Sequence, residues 1–360
     1  MNITIVGAGN IGTQFAVHCA EKSHNVIVYG SKPQLVNRNL VVVDEYDTVI
    51  HKGQIYKATD NATEAFENAD LIFITMPSYC MERIANVILP FASPDKKICI
   101  VPGCGGAEWA FEKCVSKGAV LFGLQRVPSV ARLVEYGKKV KAVGYRNCLY
   151  VASIPNRAVK ACAQIIEDIF DITCVPMPNY LNLTLTPSNP VIHTSRLRLL
   201  FKNYKDGYVY DRIPLFYEEW TDEASELLLN CDNEVHKICR AFNIIGFDLS
   251  YVKTLRVHYE SDTAQELTNK FKSIEGFKGL KCPMLEVTGG YIPDFNSRYF
   301  TEDFSYGLSI LVQMAQILHI NAPYMQDNMN WYHEIIKHQK SFEFKRYGVD
   351  SEEKLVEMYL

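Results

Sequence analysis

The chain of 360 residues is 48% apolar and 22% charged, with a formal net charge of −4. Such a composition sets aside a disordered or fibrous chain, and with no basic tail or arginine stretch to offset the negative balance, nucleic acid is not an expected partner. Eleven cysteines without a close CxxC pair fit a reduced compartment better than a disulfide framework. A strand expected from Asn2 leaves no room for a leader, and no run of about 18 uncharged apolar residues is present, so neither membrane partner nor anchor is expected and the protein is predicted to be cytoplasmic.

The length favours two domains, predicted at 1–180 and 181–360. In the first, "NITIVG", "NVIVYG", "ADLIFITMP" and "KKICIVPG" are β-rich runs separated by helical or turn segments, the pattern of an α/β doubly wound parallel sheet. "KKVKAVGYRNCLYVASIP" then reads as a hairpin joined by "GYRN" at the edge of that sheet. Beyond about Leu181 the strand signals fade. "DEASELLLNCDNEVHKICRAF" and "FSYGLSILVQMAQIL" place apolar residues at helical spacing, which predicts an all-α second domain.

The opening "GAGNIG" lies between the first strand and the first helix. Gly7 permits the tight turn, Gly9 lets the backbone approach a pyrophosphate, and Gly12 lets helix and strand pack closely. The diphosphate then rests on the helix N-terminus, so Gly7, Gly9, Asn10, Ile11 and Gly12 are candidate cofactor contacts. About 20 residues on, where NAD-binding chains carry a carboxylate, "VYGSK" offers Ser31 and Lys32, which can donate to a 2′-phosphate. NADP(H) is therefore expected over NAD(H). "TMPSY" and "VPGCGG" end two further strands and make Pro77 and Gly103 candidates near the nicotinamide.

In the second domain, "TPSNPVIHTSRL" has the form of a helix start, with Ser188 or Asn189 as cap, Pro190 in the first turn and His193 close behind. The positive helix end favours a neutral imidazole, so His193 reads either as a base or as a packed capping residue. "NSRYFTEDFSYGL" opens another helix. Glu302 and Asp303 there either complement the helix dipole or serve chemistry, and Arg298, expected in the loop before it, suits a carboxylate or a surface ion pair.

"IVGAGNIG", "VPGCGG", "LQRVPSVAR", "SNPVIH" and "RYFTEDFSYGL", taken in order over most of the chain, resemble the NAD(P)-dependent octopine/nopaline (opine) dehydrogenase family. The resemblance implies a Rossmann domain followed by a helical domain, and reductive condensation of a 2-oxo acid such as pyruvate with the amine of an amino acid. It implies His193 as catalytic acid and base, Asp303 as its partner, and Arg298 as the holder of the oxo-acid carboxylate, with Asn189 beside the substrate. Ser305 stands where many members carry proline. Gln125, Arg126 and Arg196 are candidates for reading the amino acid.

Two other readings share these features: an oxo-acid reductase of the ketopantoate-reductase or hydroxyacid-dehydrogenase kind, and a noncatalytic NADPH sensor. Metal is not expected, because Cys231, His236 and Cys239 do not assemble a ligand set at metal spacing. The aromatic and methionine content of "LHINAPYMQDNMNWYHEII" suits a homodimer interface or a second helix layer.

Overall fold

The structure, a computed structural model, describes residues 1–186, 189–336 and 340–360. The chain divides into two compact units, Met1–Thr184 with Met358–Leu360, and Leu185–Glu357. Among the described residues no helix is long and apolar enough to cross a membrane.

The first unit is built on an eight-stranded sheet. Its spatial order is Thr173–Pro176, Cys148–Ile154, Val120–Leu124, Lys97–Ile100, Leu71–Ile74, Asn2–Val6, Asn25–Tyr29 and Lys57–Thr59. The last six of these run parallel. The chain order reverses between Asn2–Val6 and Leu71–Ile74, so the loops that follow those two strands meet at a switch point, where open α/β sheets bind their ligands.

The hairpin expected around "GYRN" does not form. Lys139–Val143 pairs with Val130–Glu135 and Asn39–Val43 in a separate four-stranded sheet, while Cys148–Ile154 enters the large sheet antiparallel to Val120–Leu124. The linker supplies the reason. Gly144 turns the chain with φ 64, and the Tyr145 side chain reaches Gln14 and His18 on the Asn10–Glu21 helix, which splays the two strands apart. The small sheet lies over that same helix, with Leu40, Val42, Val140 and Phe15 in one shared core.

The second unit is mainly helical. Asn189–Leu200 begins where "SNP" predicts a helix, although Ser188, the alternative cap, lies outside the described residues. Asp222–Ile244 starts at Thr221, whose side chain accepts from the Ala224 N–H. Tyr299–Leu308 is a π-helix that runs directly into the α-helix Ser309–Ile317. Besides helices, the described residues of this unit hold one two-stranded hairpin, Met284–Val287 with Gly290–Pro293, turned by Gly289 at φ 90. Met325, Met329, Trp331 and Tyr332 of the Pro323–Ile335 helix are buried within the unit, which accounts for the aromatic and methionine content of that segment.

Candidate active site

Two helices place the chemistry. Asn189–Leu200 carries His193 one turn from its start, and Tyr299–Leu308 carries Asp303 at the same depth. They cross at Gly307, where an added Cβ would come within 2.5 Å of Pro190 Cγ, so a glycine is needed for this approach. The crossing brings His193 Nδ1 to 2.7 Å from Asp303 Oδ2, with the side chains only 12% and 17% exposed. A carboxylate accepts and cannot donate, so the neutral ring carries its proton on Nδ1 and turns the lone pair of Nε2 towards its other neighbour.

That neighbour is Tyr217, whose hydroxyl lies 3.1 Å from His193 Nε2. Burial pushes its phenol pKa well above the ordinary value of 10, so it stays protonated and can donate to a neutral ring or accept from a charged one. The Tyr217 ring is stacked on Phe277 at 3.9 Å, and the His193 ring packs against Tyr299 at 4.6 Å and edge-on to Phe216 at 5.3 Å. Histidine, aspartate and tyrosine thus form one hydrogen-bonded chain in which both ring nitrogens are satisfied in either protonation state.

The π-helix matters to this geometry. A wider turn shifts the side chains of Tyr299–Leu308 relative to an α-helix, and such segments recur at functional sites. Ser305 lies in that stretch. Its hydroxyl meets Tyr332 OH at 2.7 Å, and its carbonyl accepts from the Phe342 N–H.

Arg298 is at the cap of the π-helix rather than in a loop, and is exposed. Asn189 is exposed at the first position of the partner helix. Both therefore lie about one turn before the paired residues and are open to a ligand. Arg196 does not fit its expected part. It is buried, donates to the carbonyls of Phe216 and Leu215 at 3.0 and 3.4 Å, and lies over the Trp220 ring. It shapes the segment that presents Tyr217. Gln125 and Arg126 are half-buried in the first unit, where the Gln125 backbone N–H donates to Tyr150 O.

Tyr217 had no motif to mark it. The only trace in "RIPLFYEEW" is aromatic density, which is common in cores.

The candidate cofactor residues of the glycine turn lie at the switch point of the first unit. Gly7 has φ +103, and a Cβ on Gly12 would fall 1.9 Å from Gly7 O, so strand and helix can meet this closely only with glycine at both places. Beside Gly9 the space is open, as a bound pyrophosphate requires, and the first helical N–H bond runs from Thr13 to Gly9 O. The N–H groups of Asn10, Ile11 and Gly12 precede it and have no carbonyl four residues back within the helix. The Asn10 side-chain oxygen accepts from the Leu133 N–H at 2.8 Å.

Ser31 and Lys32 are exposed at the end of the second strand, next to Gly30, where the space is again open. Pro77 follows Thr75, whose hydroxyl donates to Val6 O and ties the two switch-point loops together. Gly103 departs from expectation. It is buried, its N–H donates to Leu124 O, and an added Cβ would strike Leu183 at 2.8 Å, so packing rather than cofactor approach demands glycine there.

The Cys231, His236 and Cys239 group lies on the Asp222–Ile244 helix. Both cysteines are buried, and burial pushes the Cys239 thiol up to about 12, which leaves it protonated.

Two family models cover most of the chain. Residues 176–336 match "NAD/NADP octopine/nopaline dehydrogenase, alpha-helical domain", and residues 3–138 match "Ketopantoate reductase PanE/ApbA". An opine dehydrogenase from Haliotis discus hannai is 27% identical over 314 residues, which span 81% of this chain and 76% of that protein. A tauropine dehydrogenase from Arabella iricolor is 24% identical over 292 residues, 76% of this chain and 72% of its own. The solved structure of octopine dehydrogenase with NADH and L-arginine superposes with a TM-score of 0.87 at 21% identity, covering 99% of this chain and 97% of that one.

Fold and family models together define an NAD(P)-dependent oxidoreductase acting on a CH–NH group. The helical half of the chain matches the octopine/nopaline dehydrogenase family model, and over most of its length the chain is similar to opine and tauropine dehydrogenases.

Proposed function

We propose that the protein condenses a 2-oxo acid such as pyruvate with the amine of an amino acid and reduces the product with NADPH. The observation that supports this best is the His193–Asp303 pair at 2.7 Å, with exposed Arg298 about one turn before Asp303 on the same helix. Amine and carbonyl lose water to give an imine. The reduced nicotinamide, when bound, supplies the hydride that reaches the imine carbon.

The protein's own groups supply the rest. Arg298 holds the oxo-acid carboxylate by charge-assisted hydrogen bonds. His193 delivers a proton to the imine nitrogen from Nε2 and takes it back in the oxidative direction, while Asp303 holds Nδ1–H and stabilises the charged ring. Tyr217 keeps Nε2 aimed until substrate arrives. The open backbone at Gly9 receives the diphosphate, and Ser31 with Lys32 favours a 2′-phosphate because no carboxylate opposes it.

The test crosses a panel of 2-oxo acids with a panel of amino acids, follows NADPH oxidation and identifies products by mass. The expected product mass is the sum of both substrates, less water, plus two hydrogens. Reduction of the oxo acid alone, with amine omitted, would favour the ketopantoate-reductase type instead. His193→Ala should lower turnover roughly a hundredfold or more while retaining NADPH binding.

A further inference from the structure

We infer that His18, Glu21 and His51 form a binding site for a divalent transition-metal ion of the zinc type. The site lies in the first unit, at the far end of the Asn10–Glu21 helix from its glycine turn. Each of the three side chains offers one donor atom, and these atoms all lie within 4.8 Å of one another. Two imidazoles and a carboxylate are the donor set of many open zinc sites.

Several independent features organise the group. His18 and Glu21 are three apart, so they share one face of the helix's last turns. His51 comes from the strand Val49–Gln54, which crosses the helix so closely that a Cβ on Gly53 would lie 2.7 Å from Val17 O. The two rings are 4.3 Å apart, and His51 Nδ1 is 2.7 Å from Glu21 Oε2. The Tyr145 hydroxyl, 3.0 Å from His18 Nε2 and itself accepting from Gln14, fixes the orientation of the His18 ring, as outer partners of metal-binding histidines do.

The electrostatics also suit a cation. The carbonyl end of a helix carries negative partial charge. Lys22, the nearest ammonium in sequence, is paired with Asp171 at 2.7 Å. A zinc ion at about 2.0–2.2 Å from each donor needs donors roughly 3.3–3.6 Å apart, so the widest separation must close by about an ångström while the 2.7 Å His51–Glu21 hydrogen bond opens to admit the ion. Glu21 and His51, with side chains 35% and 31% exposed, are free to make that movement and leave a face for water. Once bound, the ion clamps the small sheet onto the helix that carries the cofactor turn.

The experiment titrates the full chain with zinc chloride by calorimetry and repeats the titration with His51→Ala and with Glu21→Gln. One ion per chain is expected, with affinity reduced tenfold or more in each variant. Cobalt(II) should give a visible spectrum without a thiolate charge-transfer band, which separates this site from the cysteines. A wild type without stoichiometric binding overturns the inference and leaves only a His51–Glu21 ion pair. Variants that bind like the wild type, or a thiolate band, overturn it equally.

Discussion

Tyr217→Phe tests how the hydrogen-bonded chain works, because it deletes one atom and leaves the packing in place. The ring stays stacked on Phe277 at 3.9 Å, so the fold should be unchanged to within about 1 kcal/mol. What is lost is the contact of 3.1 Å with His193 Nε2. A neutral hydrogen bond contributes about 0.5–1.5 kcal/mol net. If that energy serves to hold the imidazole in its reactive orientation, turnover should fall roughly twofold to twelvefold, at 1.36 kcal/mol per factor of ten. Loss of a proton donor would cost roughly a hundredfold or more. Steady-state NADPH oxidation at saturating oxo acid and amine reads the effect, with fluorescence titration of NADPH as the control. Cofactor affinity should not change, since the candidate cofactor residues belong to the other unit. Wild-type turnover in Tyr217→Phe would refute the positioning role. A loss as deep as that of His193→Ala would refute it from the other side, by making the phenol itself the acid.

Arg298→Ala should raise the KM for the oxo acid about tenfold to a hundredfold and that for the amine much less, since it removes a charge-assisted bond to one substrate; equal changes in both would mean a structural role. Lys32→Asp should reverse the cofactor preference towards NADH by on the order of tenfold, as a carboxylate repels a 2′-phosphate and suits a ribose hydroxyl; comparable NADH and NADPH affinity in the wild type would end that reading. Glu108 offers a pH test. It is buried, accepts from Thr184 and Tyr359 at 2.5 and 2.9 Å, and desolvation raises its pKa above 4.5. The folded chain therefore keeps a proton that the unfolded chain releases, so stability is lost as pH rises from the ordinary carboxylate range through the raised value. As pH rises above the ordinary carboxylate range, Glu108→Gln should lose less stability than the wild type in urea unfolding, and a parallel loss in both proteins would show that Glu108 does not titrate in this way.

The parts legible in the sequence are those set by contacts near in the chain. A glycine turn between strand and helix needs Gly7 and Gly12 because neighbouring backbone atoms would otherwise overlap, and the overlap of 1.9 Å at Gly12 is with Gly7 itself. The helix at Asn189 is announced by "SNP" and the one at Asp222 by its apolar spacing. His193, Asp303 and Arg298 could be singled out because they lie in compact, family-specific motifs.

Tertiary structure alone decided the rest. The strands on either side of "GYRN" separate into two sheets because Tyr145 is anchored on a helix more than a hundred residues earlier, which no local pattern records. Arg196 and Gly103, both plausible as ligand residues, are consumed by buried backbone contacts. Tyr217 joins His193 through a segment with no spacing signal of its own, and Gly307 sets the dyad by allowing two helices to touch at Pro190. The His18, Glu21 and His51 group forms only when a strand crosses the end of a helix. Directional contacts between distant segments depend on ångström-scale placement of whole elements, and that placement is the outcome of packing rather than of any stretch of sequence.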